Sequence, residues 1–202
     1  MRYSTVRMRI IAGQKRGMKL LTPKGDVSRP ILDRVKESLF SVLYKYDLPA
    51  GARVADLFSG VGSLGLEALS RGAEAAIFVE RDPGVRETLV KNIAKAGFQD
   101  RSRVLAINAF TAGAVPTAGV GRYDLVFVDP PYARTEDVGP TSDLAGLMAV
   151  LAGQVRDEAI VCVRTDRRIR LLERYGPFGR LDRREWGTMQ VTLLRKIQPD
   201  GI

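Results

Sequence analysis

From Arg53 onward the chain alternates between short apolar runs and helical stretches, a rhythm that few folds accommodate. Arg53 to Phe58, Ala75 to Glu80, Arg103 to Ile107, a run starting at Tyr123, and Ala159 to Arg164 each have the length of a strand. Between them lie a glycine loop with a helix ending near Arg71-Gly72, a helix opened by Asp82-Pro83 and stopped by Gly97, and a helix from Leu144 to Leu151. Asp82 reads as an N-cap with proline just inside, and Val85, Leu89, Ile93 and Ala96 share one helix face. Repeated β-α units of this kind build a parallel sheet with helices on both faces. A Gly/Pro/Ala/Thr stretch over 111–121 interrupts the series before Tyr123. The end breaks the pattern: Arg180 to Trp186 and Thr188 to Arg195, joined through Gly187, read as an antiparallel hairpin closing the sheet edge.

The first 48 residues are organised differently. Residues 1–8 carry no pattern, and from Arg9 to Leu21 two short apolar segments flank a glycine-bounded turn. This predicts a hairpin with Lys15 and Arg16 at its tip. Past Arg29-Pro30, the apolar residues Leu32, Val35, Leu39, Val42 and Leu43 recur at helical spacing, and Arg34 and Lys36 on that helix are expected to lend charge to a basic face. The net charge of +9 is concentrated here, since ten lysines and arginines in residues 1–36 face only Asp26 and Asp33. A basic front end on a nearly neutral body implies a polyanionic partner. The expected organisation is one domain over residues 1–202, with a basic extension (1–48) and an α/β core (49–198).

Composition narrows the chemistry. The chain has no histidine, which excludes Ser–His–Asp and Cys–His catalysis, and with one cysteine no His/Cys zinc site can form. No metal is expected. Cys162 falls in the middle of an apolar strand, where a small buried residue fits better than a nucleophile. The lone cysteine, the polar N-terminus and the lack of a long apolar run predict a cytoplasmic protein without a membrane partner.

In a doubly wound sheet, ligands bind beyond the carboxyl ends of the strands. Four stretches meet there. Asp56-Leu57-Phe58-Ser59-Gly60-Val61-Gly62-Ser63-Leu64-Gly65 is a glycine loop closing a strand. Glu80 lies 20 positions past Gly60, where a carboxylate can take both hydroxyls of a ribose. Asn108 offers an amide able to read an adenine edge. Asp129-Pro130-Pro131-Tyr132 closes the strand begun at Tyr123; both prolines fix φ, so Asp129 and the Pro130 carbonyl stand as neighbouring acceptors beside the Tyr132 ring. Such a pair suits a flat ligand bearing an amino group.

Gly60 to Gly65 matches G-x-G-x-x-G literally, so a nicotinamide dinucleotide is a candidate. Asp56 argues against it, because a pyrophosphate would meet negative charge just before the loop. A cationic ligand would gain there: at about 4 Å and an effective dielectric near ~20, opposite charges attract by about 4 kcal/mol before desolvation. S-adenosylmethionine carries an amino group and a sulfonium and no phosphate, so the electrostatics favour it.

With these loops in view, the chain resembles the class I S-adenosylmethionine-dependent methyltransferases of the D-P-P-Y type, and more closely the small-subunit ribosomal RNA guanine-N2 methyltransferases. The likeness rests on Arg9 to Gly13, on Arg29-Pro30 with Asp33 to Phe40, on Asp56 to Gly60 running on to Gly65 to Ala73, and on Phe127 to Tyr132. It implies a Rossmann-like sheet of seven strands, with Asp56, Phe58, Gly60, Gly62, Glu80, Asn108 and Ala109 around the cofactor. It also implies that Asp129, Pro130, Pro131 and Tyr132 hold the base. Where the family usually has two threonines this chain has Ile31 and Leu32, a change near the expected pocket mouth.

The chemistry expected is methyl transfer to an exocyclic base amine held by Asp129 and the Pro130 carbonyl, with Tyr132 stacked on an unpaired or flipped base. Lys15, Arg16, Arg29, Arg34 and Arg134 are the expected phosphate contacts. Arg164, Arg167, Arg168 and Arg170 are read as a further contact or as solvated surface. The expected partner is ribosomal RNA or the small ribosomal subunit, bound by a monomer. Competing readings are an adenine-N6 methyltransferase acting on DNA or RNA, an NAD-binding oxidoreductase, and a non-catalytic RNA-binding module. A C5-cytosine mechanism would need a cysteine nucleophile, for which Cys162 is poorly placed.

Overall fold

The computed structural model describes residues 8–23, 31–117 and 121–197. Eight strands, β1 (Arg53–Leu57), β2 (Ala75–Val79), β3 (Ser102–Leu105), β4 (Tyr123–Val128), β5 (Val155–Asp166), β6 (Arg174–Tyr175), β7 (Phe178–Trp186) and β8 (Met189–Lys196), form one sheet. Their order is β3-β2-β1-β4-β5-β8-β7-β6. The first five run parallel, β8 is antiparallel to β5, and the remaining pairs are antiparallel. The strand order reverses at β1, which lies between β2 and β4, so loops leaving the two halves diverge there and open a crevice.

Alternation along each strand divides the core. On β4, Leu125 and Phe127 join one apolar cluster while Val126 and Val128 join the other. Helices α1 (Asp33–Leu43), α2 (Ser63–Ser70) and α3 (Pro83–Ala96) contribute to the first cluster. The short α4 (Ala109–Ala112) and α5 (Asp143–Ala152) cover the second. Burying a side chain such as Phe127 contributes about 1.5–3 kcal/mol, and strands covered on both sides draw on this at nearly every position. Asp82 caps α3 by accepting from the Val85 N–H at 2.9 Å, and Gly97 ends it at φ 69°. Cys162 lies in the first cluster, and burial pushes its thiol up, away from the thiolate a nucleophile needs.

The N-terminal hairpin forms: the Arg9–Lys19 bridge is flanked by the Ile10 N–H on the Met18 carbonyl and the Leu20 N–H on the Met8 carbonyl, both at 2.9 Å, around a 3-10 turn at Gly13–Lys15. Three expectations need correction. The sheet has eight strands where seven were implied; the extra one, β6, pairs with the start of β7 and at two residues is too short to display a period. The 111–121 stretch begins inside a short helix, α4, capped by the Asn108 side chain. Finally, Lys36 contributes nothing to a basic face, because its side chain is only 1% exposed.

The burial of Lys36 has its cause in Glu67 of α2. This carboxylate is 0% exposed and sits under the N-terminal arm. It accepts from the Ile11 N–H at 2.7 Å, the Ala12 N–H at 3.0 Å and Arg71 Nε at 2.7 Å, with Lys36 Nζ 3.5 Å away. Lys36 Nζ also donates to the Arg9 carbonyl at 2.7 Å and to Ser63 Oγ at 3.1 Å. The hairpin is thus bonded to the body as well as to itself. Gly13 shows how closely: a Cβ there would lie 1.8 Å from the Ser70 carbonyl oxygen. Ile31, one of the two departures from the resembled family, is buried in the first cluster, and Leu32 packs against it, so neither opens onto a pocket mouth.

Removing one partner of a buried ion pair leaves the other charge uncompensated, at a cost of about 3–5 kcal/mol. Glu67→Ala is therefore expected to lower unfolding free energy by roughly that amount in urea titration. Lys91→Ala, which breaks an exposed pair with Glu87, is the control and should leave the midpoint where it was. Equal, small effects of the two would show that Glu67 does not anchor the arm.

Candidate active site

A cleft of about 1040 Å³ opens beyond the carboxyl ends of β1, β2 and β4, at the point where the strand order reverses. Three carboxylates stand at these ends. Asp56, near the end of β1, is 1% exposed and does not line the cleft. Its Oδ2 accepts from the Gly65 N–H at 2.8 Å, in the first turn of α2. Burial pushes its carboxyl well above the usual carboxylate range; the Gly65 bond opposes this, and Asp129 and Glu80 add to it. Gly65 has to be small, since a Cβ would meet the Phe78 ring at 2.4 Å and Asp56 Oδ2 at 3.0 Å.

Glu80, just past β2, takes one backbone donor on each oxygen: the Gly60 N–H at 2.9 Å and the Asp82 N–H at 2.8 Å. It thereby ties the glycine loop to the start of α3. Each oxygen keeps one lone pair, and the residue lines the cleft. Phe58 makes the turn out of β1 at φ 59° and also lines the cleft, as does Gly60, whereas Gly62 is buried behind Leu89 and Leu66.

These bonds bear on the two cofactors raised by the sequence. In a dinucleotide fold the loop amides and the following helix N-terminus receive a pyrophosphate. Here the Gly60 amide is taken by Glu80 and the Gly65 amide by Asp56. Two of the loop's amides are thus already engaged by carboxylates, an arrangement that suits a cationic ligand with hydroxyls better than a pyrophosphate.

Asn108 and Ala109 line the same cleft from the end of β3. Asn108 Oδ1 caps α4 through the Phe110 N–H at 3.1 Å. The Phe110 ring, unmarked by the sequence, tilts against Phe58 with centroids 4.7 Å apart. The Arg134 guanidinium lies 5.1 Å from the Phe110 centroid and is ion-paired with Asp143. Arg134 thus lines the cleft while holding an exposed ion pair.

Pro130, Pro131 and Tyr132 form the facing wall. The turn is closed by the Arg134 N–H on the Pro131 carbonyl and the Thr135 N–H on the Tyr132 carbonyl, both at 2.9 Å. Asp129 stands just behind, its side chain 19% exposed, with Arg164 Nε 2.6 Å from its Oδ1. Parallel pairing of Val128 with Val163 sets the two residues side by side. Burial pushes the Asp129 carboxyl up, and Arg164 pulls it back down. Arg164 was read as surface or RNA contact, but its side chain is only 10% exposed and lines the cleft. Its position at the end of the strand next to β4 was the available signal. Of its companions, Arg168 pairs with Asp166 and Arg170 with Glu185 on the exposed side.

The other predicted phosphate contacts are not gathered here. Lys15 Nζ lies 5.9 Å from the Phe98 ring, beyond the far end of α3, while the first residues of that helix line the cleft. Fourteen residues of helix separate the two places, about 20 Å at a rise of ~1.5 Å per residue. Arg16 and Arg34 are exposed, and Arg29 lies outside the described residues. The arm itself returns toward the cleft: Leu21 is held by Asn92, and Pro23 lines the cavity. Asn92 accepts from the Leu21 N–H at 2.7 Å and donates to the carbonyls of Leu21 and Val61, each at 3.1 Å, so it joins the arm to the glycine loop.

Among the described residues no helix is long and apolar enough to cross a membrane. The profile of the family described as "Conserved hypothetical protein 95" matches residues 8–195. The chain is 39% identical over 161 residues to ribosomal RNA small subunit methyltransferase D of Escherichia coli K12, covering 79% of this chain and 75% of that protein. It is 37% identical over 125 residues to the Haemophilus influenzae protein of the same name, covering 62% and 64%. Among solved structures, yhhF of Escherichia coli superposes with a TM-score of 0.77 at 32% identity, over 96% of this chain and 99% of that one. The rRNA methyltransferase aviRa of Streptomyces viridochromogenes, at 18% identity, shares the fold with a TM-score of 0.66 over 86% and 88%. A methyltransferase sheet with its acidic strand ends around one cleft, and a family match along nearly the whole chain, place this protein in the ribosomal RNA small subunit methyltransferase D family.

Proposed function

We propose that the chain uses S-adenosylmethionine to methylate an exocyclic base amine, guanine N2 in small-subunit ribosomal RNA, in the cytoplasm. The observation that carries the reading is the meeting of two walls in one cleft. One wall, Phe58, Gly60, Glu80, Asn108 and Ala109, suits a nucleoside; the other, Pro130 to Tyr132 with Asp129 behind it, suits a base amine. When bound, S-adenosylmethionine supplies an electrophilic methyl group on a positively charged sulfur.

Everything else falls to the protein. Glu80 offers its two remaining lone pairs to ribose hydroxyls, and Phe58 and Phe110 give apolar contact. Asp129 and the Pro130 carbonyl accept the two N–H bonds of the amine, turning its lone pair out of the ring plane. A hydrogen bond to an ionised group contributes about 1.5–3 kcal/mol, whereas alignment of the reactants can supply up to about 7–11 kcal/mol. Asp129 then receives the proton that the amine sheds. Tyr132 stacks on the base, for about 1–3 kcal/mol. The exposed Arg16 and half-buried Lys15 meet phosphates well away from the reacting base. Guanine is chosen over adenine because the relative with 39% identity is named for small-subunit ribosomal RNA and because the resembled family methylates guanine N2.

Transfer of labelled methyl to free ribosomal RNA, small subunits and DNA, followed by nucleoside analysis, is expected to yield N2-methylguanosine from a small-subunit substrate. Labelled N6-methyladenosine would replace the guanine assignment, and absence of label from every nucleic acid would overturn the reading. In thermal melts S-adenosylmethionine should raise the transition and NAD should not. Asp129→Ala is expected to bind the cofactor as wild type does by calorimetry while kcat falls by about 10²-fold or more; full turnover would remove Asp129 from the chemistry. Reversal of Lys15 and Arg16 to Glu should weaken RNA binding and flatten log K against log salt by about two contacts' worth of slope.

A further inference from the structure

We propose that Arg164 is a positioning residue for this reaction, engaging Asp129 Oδ1 so that Oδ2 is the acceptor turned toward the base amine. The inference deepens the methyl-transfer reading and rests on it. Three features support it. The Nε–Oδ1 separation is 2.6 Å, the short distance of a charge-assisted contact. Oδ1 is buried, so the exposure that the Asp129 side chain keeps lies elsewhere on it. Arg164 belongs to β5 and Asp129 immediately follows β4, and the parallel Val128–Val163 register at the strand ends sets the two side by side.

The strand around Arg164 is apolar. Arg164 is preceded by Val163 and pairs across the sheet with Val191, both buried. Taking an ion out of water costs several kcal/mol unless good partners repay it. The repayment here is Asp129, at the rim of the cleft that Arg164 itself lines. The planar fork of arginine, unlike a lysine ammonium, fixes the direction of the oxygen it meets as well as the charge.

The charges around Asp129 give the role a separate signature. From β5 it faces Arg164; from the end of β1 it is felt by Asp56, which Glu80 also crowds. Burial raises the Asp129 carboxyl and Arg164 opposes the rise. Without Arg164 the carboxyl would hold its proton to higher pH, and a protonated carboxyl cannot take one from the amine. The acid limb of kcat must then move upward.

The test measures kcat against pH at saturating cofactor and RNA for wild type, Arg164→Gln and Arg164→Lys, with cofactor affinity by calorimetry. Arg164→Gln is expected to keep cofactor affinity within about twofold, to lose kcat by roughly 10²-fold at neutral pH and to shift the acid limb up by about one unit or more. Arg164→Lys should keep the limb near wild type, because charge remains, yet lose kcat by about tenfold because the fork is gone. A folded Arg164→Gln with an unmoved limb, or Arg164→Lys with wild-type kcat, overturns the proposal; the second arm still decides if the glutamine variant fails to fold. A wild type that transfers no methyl sinks the functional reading together with it, whereas transfer by wild type with indifferent variants removes Arg164 alone.

Discussion

Three carboxylates at one rim of a parallel sheet repel one another, and the architecture of the site is largely the set of answers to that repulsion. Asp56 is answered by the amide of Gly65, Glu80 by the amides of Gly60 and Asp82, and Asp129 by Arg164. Each answer also shapes the molecule. Asp56 pins the first turn of α2 under the glycine loop, Glu80 folds that loop toward α3, and Arg164 braces the turn that carries Pro130 and Tyr132.

Much of this was legible in the residues because each element announces itself locally. The parallel strands have apolar runs, Asp82-Pro83 marks a helix start, and Gly97 its end. Phe58, Gly60, Glu80, Asn108, Ala109, Pro130, Pro131 and Tyr132 could be named because they fall at strand ends, where topology fixes their neighbourhood. What escaped depends on pairing between distant residues. Arg164 looks like the first of a surface arginine cluster until β5 is laid beside β4. Lys36 looks like part of a basic helix until Glu67 is found beneath it. Phe110 lies one residue beyond the predicted Ala109, and only its packing on Phe58 marks it. The two-residue β6 has too few positions to show any alternation.

The N-terminal segment illustrates why charge counts read from sequence overstate a basic face. Ten basic residues in the first 36 suggest a continuous positive surface. Among the described ones, Lys36 is buried against Glu67 and leaves the solvent-facing total, while Arg9 stays exposed but is paired with Asp33. The positive charge left near the turn sits beyond the far end of α3 from the cleft, so the proposed places for phosphate and for base are separated by a helix length. A nucleic acid that satisfies both must span that interval, which limits how compact a substrate can be.

Asn92 gives this separation a mechanical meaning. One side-chain amide serves the N-terminal arm through Leu21 and the glycine loop through Val61. The Asn92 side chain is fully buried, so its amide cannot exchange these partners for water without local opening. Sliding of the arm along α3 would therefore orphan a carbonyl in the loop that faces the cofactor, and slackening of the loop would unhook the arm. The two parts share a single hinge pin, so stiffness gained by either one is felt by the other.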